Sequence, residues 1–504
     1  MKKNFFFASL LIGAYLMIAT PTMAQNKTVK LTTAKEIGQS MIIAVNHNKG
    51  VTVDWGDGNK ITYETNKTDA ICDIEGKVKG KIITVSGGAN WHMLSCKNCG
   101  ITDIDLSQAK DLQSLYCQHN QLDSLNVSGM TQLTDLDCSQ NNISKFIVTP
   151  GKAIKEDLAS LEHFNLSNNK MTGKYNYKLP NLKHLNIANN EFSGLYLFEE
   201  KPNEVICNNN KLSNYLNLNS LKHLNVLVCS DNNINSLIIS NNAEDMTQLY
   251  CSNNQISAID LGQADGLLAL VCDHNKVTQF DLSKTAVPDI VIVNNNALTF
   301  SCLPGKSDAP KYLSFVPQDD FDMSEVPGIT MKNGVPCAEI APSWTQAKDF
   351  GLDLKKESSL SNGRLDSYVE WYSVNPDGSE TPMVQRKSPS ATGDYYANRG
   401  IHAFFNPFPK AYVKLRSKSY GFIIKSMPIT IGDGATGIEN VIDANDGLTI
   451  SVANGAIVLN STSAVMVSIY TIDGKQVWKN TVSGETSVNL PKGVYVINGK
   501  KVIL

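Results

Sequence analysis

The sequence predicts a mainly β chain: a leucine-rich solenoid of short parallel strands with brief connections, flanked by small β-sandwich domains. Three observations carry that expectation. A spacing of about 21 residues repeats through the middle of the chain, short stretches of alternating apolar residues occupy both flanks, and no apolar run beyond the N-terminus reaches the about 18 residues of a spanning helix. With 504 residues, 42% hydrophobic and 18% charged, the chain is long enough for three or four domains of about 150 residues. A net charge of -3 lacks the basic excess of a dedicated nucleic-acid binder, so no nucleic-acid partner is expected.

The N-terminus predicts export. Lys2 and Lys3 precede the apolar run Phe5–Ile18, and Thr22-Met23-Ala24 ends on a small residue, the layout of a secretory signal peptide over residues 1–24. No Cys follows the run, which argues against a lipid anchor. Residues 26–90 are expected to form an all-β cap, because a solenoid exposes its core at each end unless something covers it. Met41–Val45 and Ile82–Val85 read as strands. Between them, Asp54-Trp55-Gly56-Asp57-Gly58 resembles the signature of polycystic-kidney-disease-type immunoglobulin-like modules. Asp54 and Asp57 suit a tight Gly-Asp-Gly hairpin, with calcium binding as the alternative use.

Residues 91–304 hold the repeat. Cys96, Cys117 and Cys138 are 21 residues apart, and Cys251 and Cys272 repeat the interval. Written in register, ten copies of L-x-x-L-x-C-x-x-N-x-L place markers at Cys99, Asn120, Asn141, Asn169, Asn190, Asn210, Asn232, Asn254, Asn275 and Asn296. The step from Asn141 to Asn169 is 28 residues, which predicts an extra loop near Thr149–Lys155. This is the leucine-rich-repeat pattern. The Cys at its third apolar position resembles the internalin J type of repeat, and similar repeats occur in surface proteins of Bacteroidetes. Strand alternation puts Leu115 and Cys117 on one inward face, so the cysteines read as small core hydrophobes and not as a metal or disulfide ladder. Leu166 and Ile187 in the same slot say that it wants bulk. Cys96 and Cys99 form C-x-x-C, yet the repeat explains both, and no redox or zinc site is expected there. Each marker Asn is expected to satisfy main-chain groups of adjacent coils.

Beyond Leu303-Pro304 the period fades and Pro, Ser and Asp become frequent. Residues 335–432 return to strand patterning, with Ser367–Val374, a Pro376-Asp377-Gly378 turn and Trp371 placed for the core of an immunoglobulin-like sandwich. Residues 433–446 read as a Gly-rich linker. Over 447–504, Val467–Lys475, Asn489–Val496 and the ending Lys500–Leu504 resemble the type A C-terminal sorting domain of the type IX secretion pathway. The resemblance implies a small β domain recognised by secretion machinery during outer-membrane export, with cleavage and surface attachment to follow. The segment after Tyr495 is short and ends on Leu504, which departs from that pattern.

No catalytic motif stands in a suitable context, so no enzyme activity, cofactor or metal is expected. The outward strand positions, expected on the concave face, are the candidate binding surface. They run Ser95, Tyr116, Asp137, Asn165, Asn186, Ile206, Val228, Tyr250, Val271 and Ile292, an apolar stripe in the C-terminal half. His163 and His184 fall at equivalent positions one coil apart, with Asp135 one coil earlier. The row Asn98, His119, Asn168, Asn189, Asn209 and His274 offers hydrogen bonds to glycan hydroxyls or, alternatively, only serves the turns. The ligand-binding candidates are therefore Tyr116, Ile206, Val228, Tyr250, Val271, Ile292, His119, His163 and His184. They point to a secreted or outer-membrane-attached protein that adheres through a host or bacterial surface protein or glycan and does not span the membrane. The alternatives are a structural spacer of the envelope matrix and an accessory or inhibitor module.

Overall fold

The computed structural model describes residues 27–46, 50–64, 71–87, 91–197, 201–239, 245–261, 264–280, 287–432, 442–443, 448–453, 456–471, 475–491, 493–497 and 500–504. The expected signal peptide and most of the expected linker lie outside the described residues. The chain is nearly all β and divides into two compact units, Met1–Lys211 and Leu212–Leu504.

The first unit begins with antiparallel strands. Thr28–Thr33 lies between Ile82–Ser86 and Ile101–Gln108, with Val51–Asp54 and Lys60–Tyr63 beyond. A second ladder sets Ser40–Asn46 between Ile71–Lys77 and Met93–Ser95. Met93–Ser95 is also the first rung of the solenoid, followed in parallel by Ser114–Tyr116, Asp135–Asp137, His163–Asn165, His184–Asn186 and Glu204–Ile206. The edge strand of the repeat is thus hydrogen-bonded to a strand that precedes it, and Ile43, Val45, Trp55 and Trp91 nearby in the chain are buried. An unpaired sheet edge is an aggregation template; here the preceding strand closes it.

The Asp54–Gly58 turn is tight. Asp54 Oδ1 accepts the Gly56 and Gly58 N–H groups at 2.8 and 3.0 Å. Gly56 has a φ of 104°, and a Cβ there would stand 2.5 Å from the Gly80 backbone, so only glycine fits. Asp57 meets the Lys79 ammonium at 2.9 Å, a hydrogen bond that lowers its carboxyl to a pKa of about 2. Both carboxylates serve the hairpin.

A second wall of parallel strands closes the coils. In the first unit Ser124–Asn126 pairs with Lys145–Ile147, and Thr172–Tyr175 with Glu191–Leu195. The insertion before Asn169, expected as a loop, contains one helical turn, Ile154–Asp157. Buried Asp157 anchors it by accepting Gly129 N–H and both Thr149 N–H and Oγ1–H, each at 2.7 Å. Burial raises the Asp157 pKa, but these hydrogen bonds outweigh it and leave it lowered.

In the second unit the rungs are Val226–Val228, Gln248–Tyr250, Ala269–Val271, Ile290–Ile292 and Tyr312–Ser314. The period was expected to end at Leu303-Pro304, yet the ladder adds a further rung at Tyr312–Ser314. Phe315 takes the inward Cys position of that coil, and Gln318 takes over the marker Asn. Its Nε2 donates to Val293 O at 2.9 Å and to Phe315 O, and its Oε1 accepts Leu298 N–H at 3.1 Å. Phe422 then stacks on Phe315 at 5.5 Å, and Tyr420 OH donates to Pro304 O at 2.9 Å, so the region that follows covers this end of the core.

That region has one sheet ordered Ile329–Lys332, Val335–Ala338, Ile429–Ile431, Phe408–Ser417, Ser367–Val374 and Glu380–Pro382. A second, smaller sheet holds Leu352–Asp353, Ile401–Phe404 and Tyr395–Asn398. Trp371 is buried, with Phe404 edge-on to its ring at 4.8 Å. The described residues of 448–504 form an antiparallel sheet around the long pair Ala456–Thr471 and Gln476–Val488, with Ile450, Ile457, Leu459, Val467 and Ile469 in its core.

Candidate functional site

Every rung is three residues long, and the repeat dictates which of them point outward. The middle residue, such as Leu115, Leu136 or Leu249, is buried while its two neighbours are half-buried. The next inward position carries Cys117, Cys138, Leu166, Ile187, Cys207, Cys229, Cys251 or Cys272, each fully buried. Burying one such apolar side chain contributes about 2 kcal/mol, repeated at every coil.

The marker Asn residues tie successive coils together. Asn141 Nδ2 donates to Cys117 O of the preceding coil at 3.0 Å and to Cys138 O and Ser139 O at 3.1 Å. Its Oδ1 accepts Leu122 N–H at 3.0 Å. Asn169, Asn190, Asn254, Asn275 and Asn296 repeat this bonding. The first coil has Cys99 instead, because the antiparallel strand Ser40–Asn46 stands where a preceding coil would be; the Cys99 thiol donates to Ile42 O at 3.1 Å.

The residue before each marker turns the chain with a left-handed φ. Asn98, His119, Gln140, Asn168, Asn189, Asn209, Asp231, Asn253, His274 and Asn295 all lie between 52° and 57°, a region that short polar side chains tolerate best. This turn requirement accounts for the Asn- and His-rich row. Its side chains also bond to one another from rung to rung: Asn209 donates to Asn189 at 2.6 Å, Asn253 to Asp231 at 2.9 Å, and Asn295 and His274 are paired at 3.1 Å. His119 therefore belongs to the turns, apart from the strand-face candidates.

The outward face of the first unit is polar. One row carries Ser95, Tyr116, Asp137, Asn165, Asn186 and Ile206 in register. The neighbouring row carries Ser114, Asp135, His163, His184 and Glu204. The period correctly brings the two histidines together: their rings stack with centroids 4.6 Å apart and planes 14° from parallel. His184 Nδ1 meets Glu204 Oε2 at 2.8 Å. Burial lowers the His163 pKa, His184 lowers it further, and Asp135 opposes both. Tyr116 is half-buried, and its phenol is raised by burial and then by Asp135.

The corresponding row of the second unit is apolar. Val228, Tyr250, Val271 and Ile292 stand opposite one another on successive rungs, ending at Ser314. Sequence reasoning named these four and missed what lies beside them. Ile290 and Tyr312 are directly paired on the adjoining row and are 40% and 57% exposed, and Leu268 is 55% exposed. Tyr312 was hidden because its coil lacks both Cys and Asn. The same edge carries an ion pair, Asp289–Lys311 at 2.7 Å.

Cys96, Cys99, Cys117, Cys138, Cys229, Cys251, Cys272, Cys302 and Cys337 are free thiols. Burial raises Cys96, Cys117 and Cys138 far above the ordinary thiol range, Cys99 to about 11 and Cys229 to about 12, so these are protonated core groups and not thiolate nucleophiles or ligands. Among the described residues no group of three or more His, Cys, Asp and Glu could hold a metal ion, and no helix is long and apolar enough to cross a membrane.

No protein-family model matches the chain, and no curated protein matches it. Solved structures similar to it include YopM from Yersinia enterocolitica WA-314, at 21% identity over 42% of this chain with a TM-score of 0.33. The chain spans 45% of the length of that protein. The functional domain of InlJ from Listeria monocytogenes, which includes a cysteine ladder, is similar at 16% identity over 68% of this chain and 90% of its own, with a TM-score of 0.32. An internalin, inlF, from Listeria monocytogenes is similar at 15% identity over 42% of this chain and 76% of its own, with a TM-score of 0.28. These neighbours are leucine-rich-repeat proteins, and the chain itself is a solenoid of parallel β coils.

Proposed function

We propose that this chain is an exported, surface-associated adhesion protein that binds a protein partner on the outward strand face of its second unit. The observation that carries the reading is the row Val228–Tyr250–Val271–Ile292 with Ile290, Tyr312 and Leu268 beside it. Scattered exposed apolar residues are ordinary, but a contiguous set in register marks an interaction surface. Tyr250 sits within the row as an aromatic anchor, and the Asp289–Lys311 pair supplies a polar rim, the arrangement of a protein interface. The leader-like N-terminus supports export, and the resemblance of residues 447–504 to a sorting domain supports delivery to the outer surface. In this reading the molecule acts by binding and not by catalysis.

The test is binding of the secreted chain to immobilised matrix proteins, mucins and glycans, alongside Tyr250→Ala/Ile292→Ala. Saturable binding to a protein that weakens at least tenfold in the double variant is expected. Binding that the variant retains would move the site away from this row, and a chain that binds nothing in the panel would fit a structural spacer instead.

A further inference from the structure

A cleft of about 560 Å³ opens between the two sheets of residues 329–432. Its volume is that of an ordinary small-ligand site. Three cations line it, Arg399, Arg416 and Lys418, against one carboxylate, Glu370. None of the three has a carboxylate within ion-pair distance among the described residues. In a chain of net charge -3, three unpaired cations around one opening make a local site for an anion.

The placement of these cations follows from the strands. Tyr368 and Arg416 are directly opposite in an antiparallel pair. Tyr368 is 60% exposed, with Lys418 Nζ 5.0 Å from its ring centroid. Arg399 and Gly400 are the two central residues of the hairpin joining Tyr395–Asn398 to Ile401–Phe404, with φ of 48° and 85°. That left-handed pair is the geometry for which Asn-Gly or Asp-Gly is the ordinary choice. An arginine at the first position is disfavoured locally, and it sets a guanidinium at the mouth of the cleft.

A second observation concerns the floor. His402 lines the cleft and is 2% exposed. Trp371 Nε1 donates to its Nδ1 at 3.4 Å, and burial lowers its pKa to about 4. A neutral imidazole that accepts at Nδ1 carries its proton on Nε2. That Nε2 has no hydrogen-bond partner. Buried donors are ordinarily satisfied, so the floor beneath the three cations holds a neutral, underpaired imidazole.

We infer that this cleft binds an acidic saccharide, its carboxylate or sulfate held by Arg399, Arg416 and Lys418 and one sugar face laid on Tyr368. The side-chain amides of Gln385 and Asn398 at the rim suit hydroxyl groups, which favours a sugar over an acidic peptide. The site is separate from the apolar row proposed for the protein partner and does not depend on that reading.

The experiment is calorimetric titration of the full chain with a heparin-derived tetrasaccharide, a hyaluronan tetrasaccharide, neutral cellotetraose and a Glu decapeptide. It is repeated with Arg399→Asn, which keeps the left-handed turn, and with Tyr368→Ala. Binding of at least one acidic tetrasaccharide but not cellotetraose is expected, weakened at least tenfold by Arg399→Asn and severalfold by Tyr368→Ala. The His402 ring N–H resonance should shift on saturation. Equal affinity for the Glu peptide would overturn the saccharide assignment. Absence of binding to both acidic sugars, or binding unchanged in Arg399→Asn, would overturn the site.

Discussion

The coils of the two units obey one inward rule and present two different outward faces. In the first unit the strand rows read Asp135, His163, His184, Glu204 and Asp137, Asn165, Asn186; in the second they read Val228, Tyr250, Val271, Ile292. The inward positions are constrained, because each must stay apolar and buried or satisfy fixed backbone groups. The outward positions fill no core volume, although Asp137, Asn165 and Asn186 each accept a backbone N–H two residues on. The difference between the faces therefore lies outside the core, and the sameness inside reports only folding.

The sharpest way to break that comparison is to substitute asparagine on both sides of it. Asn141→Ala removes four hydrogen bonds of a buried side chain and strands the Leu122 N–H, while the Cys117 carbonyl keeps only its bond from Asn120 Nδ2. The expected loss is about 3 kcal/mol, read from urea unfolding. Asn165→Ala on the outward row removes an exposed-face acceptor for Ser167 and should cost under about 1 kcal/mol. Equal losses would mean that the inward rule is not what holds the coils.

A second contrast sets the buried histidine against the half-buried ones. His402 has its pKa lowered to about 4 from the ordinary 6.5 by burial, so its neutral form belongs to the fold. Its contribution is fully present above pH 6.5 and is lost as the pH falls toward about 4, because the unfolded chain takes up the proton first. The loss amounts to about 3 kcal/mol. Urea midpoints at pH 7 and pH 4.5 for the protein and for His402→Gln read it directly: the variant should show a shallower pH slope, and identical slopes would sink the assignment.

Much of the solenoid was legible because its period is written in residues that do one job each. The 21-residue step alone places His163 beside His184 and aligns Val228 with Tyr250, Val271 and Ile292. It lost the coil at Tyr312–Ser314, where Phe315 fills the Cys slot and Gln318 reproduces the Asn bonding with a longer side chain. A pattern of residue types misses a substitution that keeps only the burial and the hydrogen bonds. The left-handed φ before each marker was equally silent, although it decides why Asn and His recur there. The cleft around Arg399 had no signature, because Tyr368, Arg399 and Arg416 meet only through the pairing of strands far apart in sequence.

The smallest expected effect separates folding from function most cleanly. Arg399 stands at φ 48°, where a long side chain is strained and asparagine is at ease, so Arg399→Asn should raise stability by about 0.5–1 kcal/mol. A thermal unfolding comparison of the two proteins checks it. Most surface changes away from special positions leave stability within about 0.5 kcal/mol, and a gain at one position therefore identifies a residue that the fold alone would not have chosen. If the same substitution stabilises the chain and weakens acidic-sugar binding, the strain at Arg399 is retained for the ligand. If it stabilises nothing, the hairpin accommodates arginine without strain, and its guanidinium needs no functional explanation.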